Sequence, residues 1–359
     1  MRCAARSLDV RALAWARHAM RAIVAAWALQ VLAAGASSDS LQPAAFVTVA
    51  AGVVRVEVKR QQGGLSIGSG ITVAPSIVVT NCHVVRDAVA IDISGGGALW
   101  SVTGVAADGV HDVCFLRVPT WSGRPATLAE PASLRLGQPV AAIGFTGGVG
   151  KTMRFGRVQA LHPLDGGRII ESDTPFTSGA SGGGLFDAKG ALVGLLTFRL
   201  KGRGGSYYSL PVAWVRDRLP EDGDWAEVAP LPDALPFWQR DVNTMPFFMR
   251  AAPLYSEERW GELVELTQRW SAAEPHDAEP LCLRGAAMQK LGRPEAAVAA
   301  YTEAVELGPD VPTAWYGLGL AYAVLGDAVG SGRAESKLAD LDPALAATLH
   351  EAVERLQPH

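Results

Sequence analysis

Between Val47 and Leu219 the apolar residues come in short alternating runs, and this pattern constrains the fold more than any single motif does. Val54, Val56 and Val58 fall on one face of an extended segment, with Arg55, Glu57 and Lys59 on the other, as in a half-buried strand. Similar segments recur at 77–80, 89–93, 113–118, 139–145, 153–161, 168–172, 191–198 and 206–212, separated by Gly, Pro, Asp and Ser. Many short strands with no long helix between them imply an all-β sandwich or a pair of barrels. From 221 to 243 the alternation gives way to Asp, Trp and the closely spaced Pro230, Pro232 and Pro236, which reads as a linker.

Beyond that stretch the apolar period becomes helical. Pro275, Pro309 and Pro343 stand 34 residues apart, each after a Glu, Gly or Asp that closes an apolar helical run. Trp315, Leu318, Gly319 and Tyr322 match the W-x2-L-G-x2-Y signature of a tetratricopeptide repeat, and Leu281, Gly285, Ala297, Tyr301 and Ala304 occupy the corresponding steps of the preceding unit. A degenerate first unit starts at Thr244, with Phe247, Ala251, Leu263, Trp270 and Pro275. A last helix places Leu345, Leu349, Val353 and Leu356 on one stripe and would cap the open end of the stack. Residues 244–357 are therefore expected to form an all-α tetratricopeptide-repeat solenoid of three repeats plus a capping helix.

A chain of 359 residues has room for two or three domains, and 49% hydrophobic with 19% charged residues fits a folded rather than a disordered chain. A formal net charge of -4 supplies no basic footprint, so no nucleic-acid partner is expected. Arg2, Arg6, Arg11, Arg17 and Arg21 precede an apolar run from Ala22 to Ala34, and Ala34-Gly35-Ala36 offers small residues at signal-peptidase spacing. Residues 1–36 therefore read as an export signal, and Met20 opens a compact version of it. The run is short for a membrane span of about 20 residues, so the mature chain is expected to have no integral span; a retained signal would leave it membrane-anchored. The destination is then periplasmic or extracellular.

Chemistry concentrates in the β region, in the order His, Asp, Ser. Gly68-Ser69-Gly70 and a strand precede Val79-Thr80-Asn81-Cys82-His83-Val84-Val85. Asp112, in His111-Asp112-Val113-Cys114-Phe115-Leu116, sits at the mouth of an apolar strand where burial beside an imidazole suits a base-orienting carboxylate. Ser178-Gly179-Ala180-Ser181-Gly182-Gly183-Gly184 flanks a serine with glycines, which permit a tight turn whose backbone N–H groups converge as an oxyanion hole requires. Taken singly, each has an ordinary reading: a packed histidine, a strand-end turn aspartate, a glycine-rich hairpin. Their combination points to nucleophilic catalysis.

The stretch from 42 to 220 resembles the trypsin-like serine peptidases, and within them the Deg/HtrA group with its T-N-x-H-V, D-[LV]-A-[LV]-L and G-N-S-G-G-P-L blocks. The matching residues are Thr80 to Val84, Asp112 to Leu116 and Gly179 to Leu185, with further likeness at Gly144, Asp173 and Ser209-Leu210-Pro211. The resemblance implies an all-β double six-stranded barrel and a serine endopeptidase, needing no cofactor, that acts on protein or peptide substrates. It assigns Ser181 as nucleophile, His83 as general base, Asp112 as holder of the imidazole tautomer, and the Gly179 and Ser181 N–H groups as the oxyanion hole. Cys82 and Cys114 neighbour the proposed triad; the preferred reading is two buried thiols packing as small hydrophobes, with a disulfide open to an exported chain.

Ala180 and Gly184 stand where the group carries Asn or Asp and Pro, and helical repeats stand where it carries a PDZ module, so peptide-tail recognition of that kind is not expected. Pro175, six residues before Ser181, occupies the position at which a tryptic pocket needs an acid. With Leu196, Thr197 and Phe198 as an apolar pocket wall, the expected cleavage site carries a small or medium aliphatic residue. Gly147 to Thr152 mimics the end of a phosphate loop, but Phe145 replaces the first glycine and Met153 to Leu161 reads as a strand, so ATP binding is not expected. No metal site is expected either: His350-Glu351 lacks the second histidine of H-E-x-x-H. The repeats would recruit a substrate or a protein partner. The rival from another class is a catalytically silent, protease-like scaffold whose repeats bind protein partners.

Overall fold

Valines on alternate positions of the first strand are the simplest entry into the architecture: Val54, Val56 and Val58 are almost wholly buried while Arg55 and Glu57 are half-exposed. Burying a valine side chain contributes roughly 1.5 to 3 kcal/mol, which fixes the inward face and with it the strand register. The computed structural model describes residues 43–95, 97–147, 150–200, 206–232 and 234–356. The expected signal, residues 1–36, lies outside them.

A short helix α1 (Pro43–Ala51) leads into seven antiparallel strands: β1 (Val53–Arg60), β2 (Leu65–Ala74), β3 (Ile77–Thr80), β4 (Ala88–Gly95), β5 (Ala98–Ser101), β6 (Gly104–Asp108) and β7 (Val113–Arg117). They form one sheet in the order β5-β4-β1-β2-β3-β7-β6. A single-turn helix α2 (Cys82–Val85) follows β3 and carries His83. The second lobe contains β8 (Pro139–Thr146), β9 (Gly150–Leu164), β10 (Gly167–Ser172), β11 (Gly184–Asp187), β12 (Leu192–Leu200) and β13 (Ser206–Pro211), closed in the order β10-β13-β12-β11-β8-β9. Helix α3 (Val212–Asp217) packs back on this barrel. The second lobe is thus a closed six-stranded barrel, whereas the first has seven strands with β5 and β6 as its ends. Gly150 to Leu164 is one long strand, so the glycine-lysine phrase at 150–152 opens a strand and not a phosphate-binding helix.

The segment 221–243 is not the free linker its prolines suggest. Ala226 exchanges both backbone hydrogen bonds with Val105 of β6, Leu231 N donates to Arg86 O, and Phe237 N donates to Val110 O. These bonds satisfy backbone groups that a composition argument leaves to water. The segment is a strap laid across the first lobe.

Helices α4 (Phe247–Ser256), α5 (Trp260–Ala273), α6 (Glu279–Lys290), α7 (Pro294–Leu307), α8 (Pro312–Val324), α9 (Ala328–Leu341) and α10 (Pro343–Leu356) form the rest. They pack as the pairs α4/α5, α6/α7 and α8/α9, with α10 against α8 and α9. Pro275 and Pro309 follow the second helix of a pair, and Pro343 opens the cap. Among the described residues no helix is long and apolar enough to cross a membrane.

The repeats do not hang free. Phe248, Met249, Leu263 and Trp270 of α4 and α5 share one continuous core with Phe198, Tyr208, Leu210 and Trp214 of the second barrel. At the centre of this junction His162 of β9, 3% exposed, bonds Glu279 of α6 through Nδ1 at 2.8 Å and Glu171 of β10 through Nε2 at 3.0 Å. Its ring stacks on Phe248 at 4.1 Å between centroids. Burial alone would push this imidazole down; the charge of Glu279 and the hydrogen bonds to both carboxylates overcome that and carry it up to about 9.

Candidate active site

Asp112 lies in the turn between β6 and β7 with φ +61°, a left-handed conformation that aspartate tolerates better than most residues. The turn sends its carboxylate inward, where it is fully buried. A buried carboxylate needs donors for its oxygens. His83 supplies two: its backbone N–H to Oδ1 at 2.8 Å, and Nδ1 to Oδ2 at 2.7 Å. The second bond fixes the tautomer, leaving Nε2 free to accept a proton. His83 itself stays about a fifth exposed and so remains accessible.

Asn81, just before α2, locks this arrangement to the second barrel. Its amide donates to the Asp112 main-chain oxygen and to Thr197 Oγ1, both at 3.1 Å. Cys82 and Cys114 brace it from behind: they form a disulfide, with Cα atoms 4.9 Å apart. This corrects the preferred reading of two unpaired thiols. The pairing of β3 with β7 sets Thr80 opposite Cys114, which brings residue 82 within bridging range. Cys282, the remaining cysteine among the described residues, is free.

The serine loop closes from the other lobe. Gly179 has φ +92° and Gly182 φ +80°, which non-glycine residues adopt only with strain. A Cβ on Gly182 would lie 2.2 Å from Ser69 O and 2.3 Å from Thr80 Oγ1, so glycine is required for the loop to reach the histidine side. Ser69 N donates to Ser181 O at 2.8 Å, and Ser69 Oγ accepts from Phe145 N while donating to Gly179 O. Neither the Gly179 nor the Ser181 backbone N–H has a partner among the described residues, although Ala180, Gly182 and Gly183 all donate within the protein. Two unpaired donors, one on the serine and one two residues before it, are the raw material of an anion hole.

Ser181 Oγ donates to Thr197 O at 3.2 Å rather than to His83. Of the expected pocket residues, Leu196 and Thr197 are buried behind Ser181, with Leu196 N donating to Gly183 O, while Pro175 is exposed. Phe198 does not offer an open wall. It stacks on Tyr208 at 4.9 Å and on Trp238 at 5.1 Å, meets Phe237 edge-on, and is 5% exposed. Ser69, Asn81 and Trp238 belong to the site as well, beyond the residues to which the sequence motifs assign a role. Ser69 was detectable in the Gly68-Ser69-Gly70 triplet; Trp238 lies in the proline-rich stretch and gives no local signal.

Comparison with known proteins matches the two parts of the chain to two family models. The family model for the trypsin-like peptidase domain matches residues 68–195, and that for a tetratricopeptide repeat matches residues 290–326. The chain therefore carries a trypsin-like peptidase domain followed by tetratricopeptide-type helical repeats. Curated relatives include the anti-sigma-I factor RsgI9 of Acetivibrio thermocellus, 30% identical over 161 residues, and the periplasmic serine endoprotease DegP of Salmonella typhimurium, 29% identical over 181 residues. The matches take in 44% and 47% of this chain but 22% and 38% of those relatives, so the chain spans well under half their length. Among solved structures, the active form of the Rv3671c protease from M. tuberculosis aligns with a TM-score of 0.49 at 23% identity, covering 53% of this chain and 91% of that one.

Proposed function

We propose that the protein is an exported serine endopeptidase that hydrolyses peptide bonds through an acyl-enzyme. One observation supports the reading most: a fully buried carboxylate holds the His83 tautomer, in the same site as a serine whose own N–H and that of Gly179 are unpaired. In the mechanism Ser181 Oγ turns from Thr197 O toward His83 Nε2 and attacks the scissile carbonyl as His83 takes its proton. The Gly179 and Ser181 N–H groups then stabilise the oxyanion, and His83 returns the proton to the leaving amine. Asp112 keeps the imidazole oriented and balances its positive charge. Apo sites commonly hold the serine-histidine bond loose until substrate arrives.

Export suits the sequence of residues 1–36, the periplasmic location in the name of the Salmonella relative, and the Cys82–Cys114 bridge, which an oxidising compartment preserves. With Pro175 in place of an acid, the enzyme cleaves after small or medium aliphatic residues, and the repeats recruit a substrate or protein partner. Digestion of a peptide library tests both chemistry and preference. Cleavage after aliphatic residues by the wild-type chain, absent in Ser181→Ala, is expected; cleavage dominated by Arg or Lys refutes the preference, and equal cleavage by both proteins refutes the mechanism. The silent-scaffold reading draws on the Ser181 Oγ bond to Thr197 O and is the outcome if neither protein cleaves.

A further inference from the structure

We propose that Trp238 is a positioning residue for the His83–Asp112 pair, delivered to the site by the strap that joins the barrels to the repeats. Its indole Nε1 donates to Asp112 Oδ2 at 3.1 Å, the same oxygen that receives His83 Nδ1. Among the described residues these are the side-chain donors to that carboxylate, since Asn81 bonds the Asp112 main chain and Thr197 Oγ1 donates to Leu195 O. The indole also stands edge-on to the imidazole at 5.2 Å and stacks on Phe198 at 5.1 Å.

Each contact restricts a different freedom. The hydrogen bond fixes the plane of a carboxylate that His83 alone would hold from one side, and a correctly aimed carboxylate keeps the imidazole aimed. The edge-on ring limits tilt of His83 and shields Asp112 from water, which strengthens the bond between them. The strap that supplies Trp238 is itself held on both flanks. Phe237 N donates to Val110 O, two residues from Asp112, and Arg86 Nη1 donates to Gln239 Oε1 at 3.3 Å. Phe237 is buried in the core that also contains Phe248 and Trp270 of the repeats. The Asp112 carboxylate therefore touches the strap directly, and the strap's Phe237 lies in the core shared with the helical region.

The inference rests on the endopeptidase reading for its kinetic arm and not for its spectroscopic one. Trp238→Phe keeps a flat ring on Phe198 and removes only the donor, while Trp238→Ala removes both. Full-length Trp238→Phe should lose about tenfold in kcat with KM within about twofold of wild type, the size expected for a lost bond to a charged acceptor. It should also displace the low-field proton resonance of the His83–Asp112 bond, read in the same samples by proton NMR. A Trp238→Phe chain with wild-type kcat and an unmoved resonance overturns the proposal, even if Trp238→Ala is impaired, because the ring would then act by packing alone. If the wild-type chain hydrolyses nothing, the endopeptidase reading fails while a displaced resonance still upholds this inference and an unmoved one still overturns it.

Discussion

Raising the pH from 6 to 9.5 should loosen the junction between the second barrel and the repeats, because that junction is built on a buried imidazolium. His162 is held at about 9 against an ordinary value of 6.5 by Glu279 and Glu171. A group whose folded value is raised contributes stability that is complete below the unfolded value and is lost as pH rises through the folded one. The window therefore runs from about 6.5 to 9, and the difference between those values corresponds to about 3 kcal/mol of folding free energy. Glu171 sets the opposite edge: burial opposes its ionisation, but bonds from His162, Ser206 and Tyr208 hold it below its ordinary value, so its contribution is lost only in acid. Asp277, raised to about 6 by burial, is still about half protonated at pH 6, so its ionisation overlaps the lower end of the window. The assay is urea unfolding of wild type and His162→Phe at pH 6, 7.5 and 9.5, followed by tryptophan fluorescence. At pH 6 the variant should be less stable by about 3 to 5 kcal/mol, since two carboxylates lose their cation. That gap should shrink by about 3 kcal/mol at pH 9.5. A gap that stays constant across the three pH values would show that His162 is not charged in the folded junction.

Other outcomes follow from the same geometry. Asp112→Asn should keep the fold and lower kcat by about 10⁴ on a peptide substrate, because the amide favours the wrong imidazole tautomer; steady-state kinetics with little change in KM would bear this out. The bridge closes a segment with a sequence separation of 32, so Cys82→Ala/Cys114→Ala should lower the unfolding free energy by about 4 kcal/mol in the chain-entropy account. A loss under 1 kcal/mol in denaturant titration would contradict that account. Gly182→Ala forces a Cβ against Ser69 O and Thr80 Oγ1 at a positive φ, so it should abolish peptide cleavage while circular dichroism stays near that of wild type; retained cleavage would show that the loop does not need this close approach.

The parts of the fold written in alternation were legible. Val54, Val56 and Val58 specify β1 because one face of a strand must leave water and the other must not. Strand β2 was harder, because Gly68, Ser69 and Gly70 lie within it and lack apolar side chains. The two glycines are bare because Val84 packs where a Cβ on Gly68 would stand and Val78 where one on Gly70 would, a constraint from neighbours that sequence alone does not display. The repeat period was legible at long range, since Pro275, Pro309 and Pro343 mark chemistry that helices cannot continue through. The anchoring of the 221–243 segment is illegible for a related reason: Pro230, Pro232 and Pro236 report that a helix is excluded, but not that Ala226 and Phe237 find backbone partners on another element. In the same way the histidine, aspartate and serine were legible as local motifs, while Trp238, 126 residues from Asp112, was not. The disulfide was undecidable from spacing, because what decides it is the register of β3 against β7.

We propose that one hydroxyl of this chain, that of Ser181, is a nucleophile made reactive by its surroundings. Treating the purified full-length protein with a fluorophosphonate and measuring intact mass, then mapping the adduct by peptide mass spectrometry, tests it directly. One adduct per chain is expected, located on Ser181, with slower uptake in Asp112→Asn and none in Ser181→Ala. Uptake at another residue, or equal uptake by Ser181→Ala, would contradict it.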